Sequence, residues 1–302
     1  MQTLYMFSQT EDMKVTSAIQ QLNSSIHNSY LAYLYCLHFI TKLAQQEDLE
    51  AHIRKNKYLP TEGDLTFIPR FFQNTTIRFL IGNNYFQSIL KKEKLTVSDE
   101  GEIEKLIYHQ AKEFAPFKTY QENTDGDTNE SRIIGELFEN FLLKNEYFDE
   151  HMENVIATWA DDEFIVKGLM DEFVRVKDYA AVPERRLFDF SITDEEQSFA
   201  EQLLRLSIEN KEAYETLIEL KLQNWELDRV SLIDRILMKM AITEFMHMPT
   251  IPVKVTINEY LDISKIYSTP RSREFINGVL DKVMNELKTT GSIIKTGRGL
   301  IE

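Results

Sequence analysis

The residues that could carry catalysis are few and badly placed for it. Glu244-Phe245-Met246-His247 has the E-x-x-H spacing of a di-iron helical bundle, but such a centre needs the motif twice and it occurs once. The six histidines lack i, i+4 partners, and no H-E-x-x-H or Cys/His cluster for zinc is present. Asp161-Asp162 and Asp171-Glu172 sit in charge-rich helical stretches, where a solvated face explains them more simply than acid/base pairing. Gly297-Arg298-Gly299 follows no strand, and there is no P-loop or G-x-G-x-x-G. The single cysteine, Cys36, lies in the apolar run Tyr33–Leu37 and reads as packing, since a nucleophilic thiol needs an electropositive, partly exposed setting. These absences point to a protein that binds rather than catalyses, with no metal and no cofactor.

The elements around these residues are helical. Ten glycines and seven prolines in 302 residues leave long uninterrupted segments. The all-α expectation rests on helical stretches at 16–46, 74–90, 103–114, 133–159 and 163–176. Ser98-Asp99-Glu100 is a plausible start for the third, and residues 122–130 are the most loop-like stretch. Thr193 and Glu196 have capping-box spacing and open a helix of about thirty residues, to Trp225. Helices at 229–247, 253–267 and 271–287 follow, the last opened by Thr269 as N-cap and Pro270 at N1. Residues 289–302 are expected to form a flexible tail. No basic region precedes an apolar stretch at the N-terminus, and no run approaches about 18 apolar residues, so a cytoplasmic protein without membrane contact is expected.

The net charge of −15 argues against broad, sequence-blind nucleic-acid binding. It is unevenly spread. Residues 1–190 carry 20 basic against 31 acidic side chains, whereas residues 249–302 carry 8 against 6. A small, local nucleic-acid site at the C-terminal end remains compatible with an acidic body.

Three ordered motifs occupy that end. Asp234-Arg235, Leu237, Ala241 and Glu244 form D-R-x-L-x-x-x-A-x-x-E. Pro252-Val253-Lys254-Val255-Thr256-Ile257-Asn258-Glu259 follows, and Phe275-Ile276-Asn277-Gly278-Val279-Leu280-Asp281-Lys282 closes the run. Together they resemble the transcription antitermination factor NusB family. Gln2-Thr3-Leu4-Tyr5 is similar to that family's Q-x-L-Y in helix one. The resemblance implies a NusB-like helical bundle at 191–288, with family helix one at 1–10 and a large insertion at about 11–190 within an enlarged N-terminal region, 1–190. The family carries an arginine-rich stretch just before Q-x-L-Y. Here that stretch is absent and Met1–Ser8 reads as uncapped mid-helix, so Met1 is expected to be an internal start; were it the true start, RNA affinity should be weak without the partner.

The same resemblance implies a non-enzymatic role in ribosomal RNA operon transcription. The partners would be boxA-type single-stranded RNA, the NusE ribosomal protein and, indirectly, the RNA polymerase elongation complex. The RNA-binding residues would be Gln2, Tyr5, Tyr267, Ser268, Arg271, Ser272, Arg273 and Phe275, a mixture of stacking rings, hydroxyls and positive charge beside a helix N-terminus. Phe275 also lies on the apolar stripe of its helix and reads equally well as core. Asp228, Asp234 and Arg235 would meet the basic protein partner, although an internal salt bridge suits Asp234 or Arg235 as well. Asn258 and Gly278 are expected to serve contacts between helices. Two other readings stand beside this one: a protein-binding helical adaptor without RNA binding, and the RNA-binding part of an rRNA methyltransferase system.

Overall fold

The computed structural model describes residues 1–95, 101–122, 130–189, 193–222 and 227–300. The expected residues at 98–100, 123–129 and Trp225 lie outside them. Every regular element among the described residues is helical, and no described helix is long and apolar enough to cross a membrane. The chain divides into two compact units. One combines Met1–Ser24 with Ile192–Glu302, and the other is Ser25–Ser191. The division therefore groups the first 24 residues with the C-terminal part and leaves 25–191 as a continuous insert.

The insert is built on α2 (Val15–Lys55), whose first turns belong to the other unit. Leu34, Cys36, Leu37, Phe39, Ile40 and Leu43 are all buried, so the middle of this helix is apolar all round and is enclosed by its neighbours. The enclosing helices are α3 (Glu62–Thr66), α4 (Arg70–Gln73), α5 (Thr75–Gly82), α6 (Asn84–Lys92), α7 (Glu102–Ala111), α8 (Ala115–Glu122), α9 (Glu130–Asn140), α10 (Glu146–Val155), α11 (Trp159–Val174) and α12 (Glu184–Phe188). The tyrosines of α2 bury their rings but keep hydrogen-bond partners. Tyr30 and Tyr33 donate to the carbonyls of Phe188 and Leu187 at 2.6 and 3.0 Å, and Tyr35 lies 2.6 Å from His151 Nε2. Burial pushes the Cys36 thiol well above its ordinary pKa, which suits packing. Asp162 departs from the solvated face expected of it: it is buried and accepts from Ser29 and Thr158.

Asparagines divide segments that periodicity alone joins. Asn83 ends α5 and its side chain accepts from Phe86 N at 2.8 Å, starting α6 within the expected helix 74–90. Asn145 caps α10 by accepting from Tyr147 N and Phe148 N, splitting 133–159. Asn side chains compete for backbone partners in this way and favour caps over helix interiors.

The other unit contains α1 (Gln2–Gln9), α13 (Asp194–Glu209), α14 (Lys211–Glu219), α15 (Leu232–His247), α16 (Val253–Tyr267) and α17 (Ser272–Thr289). Thr193 and Glu196 form the expected capping box, with Thr193 N donating to Glu196 Oε2 at 2.7 Å and Glu196 N to Thr193 Oγ1 at 3.2 Å. The thirty-residue helix expected from there is two helices, because Asn210 breaks it while donating to Leu206 O at 2.9 Å. At the centre is α15, buried at every position from Ile236 to Phe245 and packed by α1, α13, α14, α16 and α17. It begins only at Leu232, capped by Ser231, whose hydroxyl accepts from Asp234 N at 3.1 Å.

In the tail expected to be flexible, the described residues 289–300 make specific contacts. Lys295 Nζ donates to the carbonyls of Glu244 and Met248 at 3.0 and 2.9 Å, capping the C-terminus of α15. Thr296 N donates to Pro249 O at 2.9 Å. Gly299 sits so close to the same loop that a Cβ there would fall 2.0 Å from Pro249 O.

Candidate nucleic-acid interface

The residues singled out at the C-terminal end meet where α16 passes into α17. Tyr267 ends α16, Ser268 is extended, and Thr269-Pro270-Arg271 make the turn. The helix then starts at Ser272, three residues after the expected N-cap, and Arg271 offers no side-chain cap. The turn is held from beneath by Asp234 of α15. Ser268 Oγ donates to Asp234 Oδ1 at 2.5 Å and Ser272 Oγ to Oδ2 at 2.8 Å, while Thr269 Oγ1 lies 2.9 Å from Ser272 Oγ. A buried carboxylate with two hydroxyl donors is a strong brace, because charge-assisted bonds are roughly twice as strong as neutral ones.

This brace sorts the candidates. The hydroxyls of Ser268 and Ser272 turn inward, and Ser272 is buried. Arg271 and Arg273 are exposed. Tyr267 and Phe275 are half-buried, and Phe275 packs against the core of its unit. Arg273 also helps Lys265 hold the Asp262 carboxyl below its ordinary pKa: Lys265 does so by a hydrogen bond and Arg273 by its charge. The uncapped first turn of α17 adds backbone N–H groups beside these two arginines.

Gln2 and Tyr5 stand elsewhere in the unit, on α1. Tyr5 is 44% exposed, whereas the Gln2 amide nitrogen is buried without a hydrogen-bond partner. The link between this pair and the α16–α17 turn is α15, against which both sets of helices pack.

The candidates for a protein partner separate as well. Asp228 is exposed on a short turn of 3₁₀ helix, Leu227–Arg229. Arg235 is half-buried, with its Nε enclosed and unpartnered. Asp234 is buried beneath the turn, so a candidate for the protein partner and two candidates for RNA form one hydrogen-bonded group.

A second brace was invisible in the sequence as a pair. Glu244, ten residues after Asp234 on the same helix, is buried and accepts from Thr256 Oγ1 at 2.9 Å and Tyr260 Oη at 2.5 Å. Burial raises its carboxyl pKa, against the pull of those two donors. Its E-x-x-H companion, His247, faces Tyr214 Oη at 3.1 Å instead. The two acidic residues thus fix both ends of α16 against α15. The signal was their position in one motif, but its use could be read only once their partners were known. Asn258 and Gly278 are both exposed, and a Cβ at Gly278 would meet nothing within 4 Å, so close packing between helices accounts for neither.

The unit so described is a helical bundle organised around one central helix, with a braced, arginine-bearing turn on its surface. Comparison with known proteins places it. The pattern of the NusB family matches residues 171–285. "Transcription antitermination protein NusB" of Salinibacter ruber is 44% identical over 105 residues, 35% of this chain and 66% of that protein. The protein of the same name from Chloroherpeton thalassium is 39% identical over 121 residues, 40% of this chain and 56% of its own length. That of Bacillus cereus is 40% identical over 94 residues, 31% of this chain and 72% of that protein. The chain belongs to the NusB family. It spans about two thirds or less of the first two relatives. A solved structure, "T. maritima NusB", is 32% identical, with 39% of this chain and 82% of that one covered and a TM-score of 0.31.

Proposed function

We propose that this chain is a non-catalytic transcription antitermination factor that holds boxA-type single-stranded RNA together with the NusE ribosomal protein. It would act in ribosomal RNA operon transcription and touch the RNA polymerase elongation complex only indirectly. The observation that carries the reading is the braced turn from Tyr267 to Phe275 in a chain of this family. Two exposed arginines stand over a helix N-terminus, and two half-buried rings flank them. Single-stranded RNA is bound by that combination: phosphates meet positive charge and backbone N–H groups, and bases stack on rings. In this reading Arg271 and Arg273 take phosphates, and bases stack on Tyr267 and Phe275. Ser268, Ser272 and Asp234 are positioning residues that hold the turn. Gln2 and Tyr5 form a second contact on α1, and Asp228 and Arg235 face the protein partner.

The test is a titration of boxA RNA with and without NusE, followed by fluorescence anisotropy across about 50–200 mM salt. Binding is expected to tighten with NusE. Replacing both Arg271 and Arg273 by Ala should weaken it and flatten the log–log salt slope by about 1.4, roughly 0.7 for each phosphate contact on a single strand. An unchanged slope would remove the arginines from the site. No binding with or without NusE would reject the RNA reading in favour of a protein-binding adaptor.

A further inference from the structure

We propose that the insert unit carries a self-association surface at the far end of α2, and that its occupant is a second copy of this chain. Six large apolar side chains are exposed there within twenty residues: Leu49 and Ile53 at 52% and 58%, Tyr58 and Leu59 at 97% and 80%, and Leu65 and Ile68 at 55% and 59%. Leu49 and Ile53 are i, i+4 neighbours on one face of α2. The following chain is folded back onto that helix end. Arg54 stacks over the Phe67 ring at 4.1 Å, and Lys57 Nζ reaches Asp64 Oδ1 at 2.7 Å. A capping box between Thr61 and Asp64 fixes α3 in the same stretch. The cation–π contact, the ion pair and the cap hold the backbone on either side of Tyr58 and Leu59, which lowers the backbone part of the entropic cost of docking.

Two observations select a second copy as the occupant. The first is area. Summed over the six residues, these exposures amount to roughly 800 Å², about what each partner contributes to a standard stable interface. The second is charge. The whole chain carries −15, so two copies repel over most of their surface. Between residues 48 and 68 three bases stand against four acids, which makes this tip close to neutral. A two-fold contact brings a patch onto itself, so a patch close to neutral avoids the like-charge repulsion that the rest of the surface would meet. A strongly basic or acidic partner would find no charge complementarity here. The proposal is independent of RNA binding, because every residue it uses belongs to the insert unit.

The experiment is sedimentation velocity of the full chain from low micromolar to about 200 μM, a range that brackets affinities of ordinary reversible dimers. The expected result is a shift from the 35.5 kDa monomer to a dimer across that range, more complete at higher salt as repulsion between the acidic bodies is screened. The double variant Tyr58→Ser/Leu59→Ser should weaken dimerisation at least tenfold with unchanged far-UV circular dichroism, since both side chains lie almost wholly in solvent. A second variant, Leu59→Cys, should cross-link as a dimer on oxidation, because the native thiol of Cys36 is buried. A chain that stays monomeric throughout overturns the proposal, and so does a folded double variant that dimerises as tightly as the parent.

Discussion

Asp234 shows how a single carboxylate can decide the shape of a surface it never reaches. Its two oxygens hold the serines on either side of the α16–α17 turn. Asp234→Ala leaves two hydroxyls without their acceptor, and it should lower stability by about 2–3 kcal/mol, the cost of unsatisfied bonds to a buried charge. Urea unfolding is the measurement; a midpoint unchanged from the parent would mean that the turn is held by something else. Glu47 makes the complementary case in the insert. Burial lifts its carboxyl to about 7 from an ordinary value near 4.5, against the opposing bonds from Phe72 N and Gln121. The folded state therefore binds this proton more tightly than the unfolded state does. Stability from this group is fully present below about pH 4.5 and declines as pH rises through about 7. Glu47→Gln should flatten that decline, and denaturation curves across this window would reveal an equally steep loss if the assignment were mistaken. Neither role was legible in advance. An acidic residue in a charge-rich segment looks solvated until the helix that buries it is known, and Asp162 misled in the same way.

At the scale of elements, hydrophobic periodicity located the helices well and their ends poorly. The 253–267 helix appears as expected, and the Thr193 capping box forms. The misses share a cause. Asn83, Asn145 and Asn210 each interrupt an apolar repeat that carries on past them, and the repeat alone cannot show that an Asn side chain has taken a backbone partner. The tail escaped for a different reason. Its polar, glycine-containing composition is that of a loose end, yet Lys295 and Gly299 fit one particular loop. Gly299→Ala should drive the tail off, since its Cβ would collide with backbone that cannot rotate away. Trypsin should then cut after Lys295 and Arg298 roughly tenfold faster, the factor expected from about 1.4 kcal/mol of lost local stability. Unaltered cleavage would show that the loop shifts to accommodate the methyl group.

The described residues gather into two hydrophobic cores. One is gathered around α2 and the other around α15. The C-terminal motifs made the helices of the second readable from the sequence, although α17 starts at Ser272 rather than directly after Thr269. The first offered helices and aromatic side chains but no pattern naming a ligand, and its exposed tip became visible only as a set of accessibilities. Linear order and spatial grouping differ between the two. The residues Ser25–Ser191 follow one another without a break, whereas Met1–Ser24 must find Ile192 and what lies beyond it. During synthesis the first helix leaves the ribosome with Leu4 and its apolar neighbours uncovered, and 167 residues of another unit are made before its partners exist. At ~5–20 residues per second that interval is about 10–30 s. In a nascent chain residues 1–24 therefore wait through that interval for their partners, while the unit between them is made and can fold on its own core.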